Sequence, residues 1–140
     1  MDWSRFGRCR TQTLPDTRRM EVPLEGVFCY GRETLQWPEK NGKTALLQGS
    51  GILVNRGSIR FRQGFRCQGD FRFLANGDIT VHSGARLDKV YLCATGTLTL
   101  EKGARVKGIL ACRGPVVIQE GAEFEKDESV MGVFCTKANA

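Results

Sequence analysis

The chain has 140 residues, 41% hydrophobic and 26% charged, with 21 Lys+Arg against 15 Asp+Glu for a net charge of +6. That balance describes a folded domain long enough to bury a core, not a disordered or fibrous chain. No apolar run reaches the roughly 18 residues of a membrane-spanning helix, and residues 1–8 lack the apolar stretch of a signal peptide. A cytoplasmic setting is expected.

Residues 1–45 are predicted to form an N-terminal tail and cap. Trp3 and Phe6 with Arg5, Arg8 and Arg10 read as a basic tail carrying little apolar surface for a bilayer. Val22, Phe28 and Tyr30, then Leu35 and Trp37, are apolar but fall outside any repeat. The charge excess lies in this direction. Residues 1–75 hold 13 Lys+Arg and 7 Asp+Glu, whereas residues 76–140 hold 8 of each.

Residues 46–136 are predicted to be one repeating domain, followed by a C-terminal tail at 137–140. Four stretches share a template, opening at Gly57, Gly77, Gly96 and Gly114, so that the period shortens by one from each copy to the next. A second glycine follows each start at a constant offset: Gly64, Gly84, Gly103 and Gly121. Between the glycines apolar residues alternate as Ile59/Phe61, Ile79/Val81, Leu98/Leu100 and Val116/Ile118. Period two marks a half-buried strand. The second glycine then supplies a corner, where the backbone conformation is one that Gly adopts freely.

A second short strand carries one inward residue, Cys67, Leu87, Val106 or Phe124. After a corner at Gly69 or Gly108, a third is expected to point Phe71/Phe73, Tyr91/Cys93 and Leu110/Cys112 inward. Three strands and three corners in about 18 residues make one turn of a parallel β-helix of triangular section, in which like side chains stack into ladders. The extra residues of the longer copies are expected after the third strand, at Ala75, Asn76 and Thr95. This register turns Val90, Leu92, Ile109 and Ala111 outward as an apolar patch, either covered by the N-terminal segment or used for lateral contact.

The same register accounts for residues that could otherwise suggest chemistry. The six cysteines lack C-x-x-C spacing, and even the nearest two, Cys93 and Cys112, lie a full repeat apart. Cys67, Cys93 and Cys112 take core positions as small hydrophobes. His82, the one histidine, falls in an outward column Arg62, His82, Glu101, Gln119 and is expected to pair with Glu101. No catalytic residue, metal, cofactor or small-molecule substrate is expected. A left-handed hexapeptide-repeat coil of the acyltransferase kind requires one aliphatic every six residues, which the paired apolar positions fit less well.

The template Gly-x-hydrophobic-x-hydrophobic-x-x-Gly-Ala-x-hydrophobic, clearest at 98–108 and 117–124, resembles the bactofilins, polymer-forming bacterial cytoskeletal proteins. The resemblance covers about residues 50–126. It implies a right-handed β-helix that self-assembles into filaments without nucleotide and scaffolds envelope and cell-shape proteins beneath the membrane. This chain departs from the family pattern in its few rungs, its long N-terminal part, and Lys89 and Lys126 in place of a corner glycine.

Function is then expected on the outside of the coil and at its ends. Arg66, Arg86 and Arg105 form an outward stripe with Lys107 beside it, ending in Glu123. Such a stripe fits an anionic partner, an acidic protein or an anionic membrane surface. Without interleaved aromatics, nucleic acid is not expected. Solenoid ends must be capped or stacked. Gly132 begins a further rung one repeat after Gly114, with Phe134 near an open and acidic end formed by Glu123, Glu125, Asp127 and Glu128. Phe61, Phe124, Phe134, Val90, Leu92 and Ile109 are the candidate assembly or cap contacts. The expected role is a self-assembling scaffold. A non-polymerising binding module that uses the arginine stripe is the alternative, and an acyltransferase comes last.

Overall fold

The structure, a computed structural model, describes residues 20–22, 27–30, 33–38 and 44–127. Its strands are β1 (Met20–Val22), β2 (Val27–Tyr30), β3 (Thr34–Trp37), β4 (Ala45–Asn55), β5 (Ser58–Phe61) and β6 (Phe65–Ala75). They continue as β7 (Ile79–Val81), β8 (Arg86–Ala94), β9 (Leu98–Leu100), β10 (Arg105–Cys112), β11 (Val116–Ile118) and β12 (Glu123–Lys126). One sheet runs β1-β4-β6-β8-β10-β12, with β2 also on β4, and the other runs β11-β9-β7-β5-β3. From β2 onward the chain therefore returns to the same sheet at every second strand, and the pairings are parallel. This is the all-β parallel solenoid that the repeat predicts.

The second and third predicted strands are continuous in the structure. β4, β6, β8 and β10 have 11, 11, 9 and 8 residues, and each covers two faces of the coil. The other corner is the sharp one. Gly64, Gly84, Gly103 and Gly121 take φ of 95°, 86°, 87° and 92°, a left-handed conformation that costs any other L-residue about 1–2 kcal/mol.

Inside, side chains stack in ladders. On the first face Leu35, Ile59, Ile79, Leu98 and Val116 form one, and Trp37, Phe61, Val81, Leu100 and Ile118 the next. On the second face Cys67, Leu87, Val106 and Phe124 stack as expected, and Leu47 in β4 extends the ladder by a rung. The early rungs are filled by aromatic rings. Trp37 stacks on Phe65 at 5.8 Å, and Phe61 meets Phe73 edge-on at 4.8 Å. The later rungs are filled by aliphatic side chains.

The third face departs from expectation in β8, while in β10 Leu110 and Cys112 pack against the core and Ile109 and Ala111 face outward as expected. Phe71 pairs with Val90, which pairs with Gly108, and Phe73 pairs with Leu92, which pairs with Leu110. Val90 and Leu92 thus point inward and are fully buried, while Tyr91, Cys93, Ile109 and Ala111 occupy the outward column. The cause is where the rungs shorten. Gln68, Gly69 and Asp70 span the corner in β6, only Asp88 and Lys89 in β8, and only Lys107 in β10. Each deletion at the corner moves the following residues by one position, and one position exchanges inside for outside. Val54, Leu74 and Tyr91 are buried although they face away from the bore, whereas Ile109 and Ala111 further along the same face are half-buried.

The coil also begins earlier than residue 46. β1 and β2 pair with the two halves of β4, and β3 pairs with β5. Leu35 and Trp37, which the repeat left without a place, extend both first-face ladders by a rung and are buried.

Candidate functional site

Strand alternation sets the arginine row. In β6, Phe65 and Cys67 are buried, which sends Arg66 between them outward, and the same holds for Arg86 in β8 and Arg105 in β10. Parallel register places Arg66 against Arg86, Arg86 against Arg105 and Arg105 against Glu123. Arg105 Nε donates to Glu123 Oε2 at 2.6 Å. Among the described residues, Arg66 and Arg86 have no such partner. A concavity of about 590 Å³ runs along the row and includes half-buried Lys107, together with Asp88 and Glu125. A second, of about 490 Å³, shares Arg66 and Arg86 with it. Of the four expected stripe residues, then, two are free and adjacent, one is paired, and Lys107 sits at the corner beside them.

The terminal rung is different in kind. The ladder positions of Ile79 and Leu98, Val81 and Leu100 are fully buried, yet Val116 and Ile118 above them are each 46% exposed. Val117 between them is 41% exposed. β11 pairs with β9 and β12 with β10, so each leaves one edge open among the described residues. Phe124 is half-buried against the core beneath, with Leu110, Cys112 and Ala122. Phe61, by contrast, is sealed in the aromatic cluster and has no surface for assembly. Phe134 lies outside the described residues. At the opposite end, Leu35 and Trp37 are only 1% and 2% exposed. The repeat pointed to the end rung, but which end stays open is visible only in the burial of β3 and β11.

His82 stands in the predicted column, its Nδ1 2.8 Å from Glu101 Oε1. Further along the column Gln119 Oε1 accepts from the Lys102 amide at 3.2 Å. These are ties between rungs on a half-exposed surface. Among the described residues no group of three His, Cys, Asp or Glu is placed to hold a metal, and no helix is long and apolar enough to cross a membrane.

Among the described residues, fold and surface together define a parallel β-solenoid with one open end and a partly unpaired arginine row. No family model, curated protein or solved structure matches the chain.

Proposed function

We propose that this chain is a structural scaffold of the bactofilin-like kind, working in the cytoplasm, whose coils self-associate through the open terminal rung and so position other proteins. The observation that carries this reading is the exposure of Val116 and Ile118, 46% each, at ladder positions that every preceding rung buries. A stacked strand from another copy would pair the free edge of β11 and remove that apolar surface from water, which contributes roughly 25 cal/mol for each Å² buried. Because Leu35 and Trp37 are already covered at the other end, contact between two open ends is the arrangement best supported. Such a contact is two-fold and closes on itself.

Sedimentation and negative-stain microscopy across a concentration series test the proposal. Association that grows with concentration is expected, and the double variant Val116→Glu/Ile118→Glu should remain monomeric with unchanged circular dichroism. A single monomeric species at every concentration, or undiminished association of the folded variant, would overturn it.

A further inference from the structure

The side of the coil carries a feature that end contacts do not use. Arg66 and Arg86 are exposed neighbours in register on β6 and β8, and among the described residues neither meets a carboxylate. Strands in a sheet lie about 4.8 Å apart, so two like charges face each other across one strand spacing, an unfavourable arrangement. One strand further on, the same row shows what satisfies it: Glu123 takes up Arg105 at 2.6 Å. The free pair also lines two concavities of about 590 and 490 Å³, so both arginines border either space.

We propose that Arg66 and Arg86 dock an acidic helix of a partner protein, lying along the coil axis with carboxylates three or four residues apart. Such side chains recur at about 5–6 Å on a helix, which matches the rung spacing, so each carboxylate meets one arginine as Glu123 meets Arg105. An anionic bilayer fits less well, because Asp88, Glu123 and Glu125 line the same concavity and would repel a continuous negative surface. Single-stranded nucleic acid requires exposed aromatic platforms, and Phe65 beside the row is buried in the core. This docking face is separate from the open end, so it operates in single and stacked coils alike.

Fluorescence anisotropy on the full chain tests it, with four probes in parallel. These are a helical peptide bearing Glu at four-residue spacing, its Gln counterpart, an oligothymidine strand and phosphatidylserine vesicles. The Glu peptide should bind, more weakly as salt rises, and the Gln peptide should not. The double variant Arg66→Gln/Arg86→Gln should keep its circular dichroism and lose about tenfold in affinity. Binding should survive Val116→Glu/Ile118→Glu, which separates this face from the assembly surface. Failure of the Glu peptide to bind, equal binding by the arginine variant, or tighter binding of vesicles or oligonucleotide would each overturn the proposal.

Discussion

Gly108 on β10 lies directly against the Val90 carbonyl of β8, so close that a Cβ at residue 108 would overlap the Val90 backbone oxygen. Neighbouring rungs approach here because the corner has shrunk to Lys107 alone. A backbone obstacle cannot rotate away as a side chain can. Gly108→Ala is therefore expected to cost about 3 kcal/mol or more in urea unfolding. Gly84→Ala should cost less, about 1–2 kcal/mol, since the added methyl meets only the flexible Gln63 side chain and the penalty is mainly conformational. Equal losses at the two sites would mean that the close approach at Gly108 is not made.

Lys89 occupies the same corner one rung earlier and adopts φ of 53°, the single non-glycine residue at positive φ among the described residues. The corner has two residues where β6 has three, and Lys89 turns it through the left-handed region at a cost. Asn tolerates that region better, and a β-branched side chain tolerates it worse. Lys89→Asn should raise the thermal midpoint by a degree or more, equivalent to about 0.5 kcal/mol, while Lys89→Val should lower stability by about 1–2 kcal/mol. The reverse order would place residue 89 outside the left-handed region.

These corners explain what the sequence could and could not reveal. The first face was legible because each copy keeps its two apolar residues at fixed offsets from a glycine. The space that glycine leaves is used by the previous rung: Ser58 Oγ accepts from the Asp78 amide at 3.0 Å, and Asp78 Oδ1 accepts from the Thr97 amide at 2.8 Å. The second face was legible for the same reason, and with it the arginine row. The third was legible in β6 and β10 but not in β8, because a chain losing one residue per turn gives no sign of where the loss falls, and alternating apolar residues on both sides of β8 fit either register. The first rung was hidden by its spacing. Trp37 precedes its ladder partner Phe61, and Met20 precedes Leu47, by a longer stretch of chain than separates the partners of any later rung. The fates of Arg66 and Arg105 also diverge through one residue, Glu123, whose meaning depends on knowing that β12 adds a strand.

Cys67 is buried in the second-face ladder, and burial pushes its thiol well above the ordinary range, with the nearby Asp88 carboxylate adding to the rise. The folded chain therefore holds this proton more tightly than the unfolded chain does. Stability from the group is complete below the unfolded thiol's value of about 8.5 and is lost as pH climbs from there toward the folded value. Between about pH 7 and pH 9.5, urea unfolding of the parent should lose more stability than that of Cys67→Ala, by about 1 kcal/mol. Mass-mapped alkylation gives a second reading, with Cys67 left unmodified until the chain unfolds. Parallel pH profiles for the two proteins would mean that the thiol is not sealed in the core.

Glu123 ends the arginine row, and its pairing with Arg105 is solvent-exposed on both sides, so removing it should cost under about 1 kcal/mol. The substitution Glu123→Arg extends the row to four cations instead of closing it. It frees Arg105, adds a like charge one strand away, and removes one of the acidic groups lining the concavity. Stability should fall slightly, and the loss should shrink as salt screens the new repulsion. Affinity for the acidic helical peptide should rise, because two further arginines now present unpaired forks at the same spacing. If the row is only a solvated face, the same variant loses stability and gains no affinity. The two measurements together separate a docking surface from a surface that is merely charged.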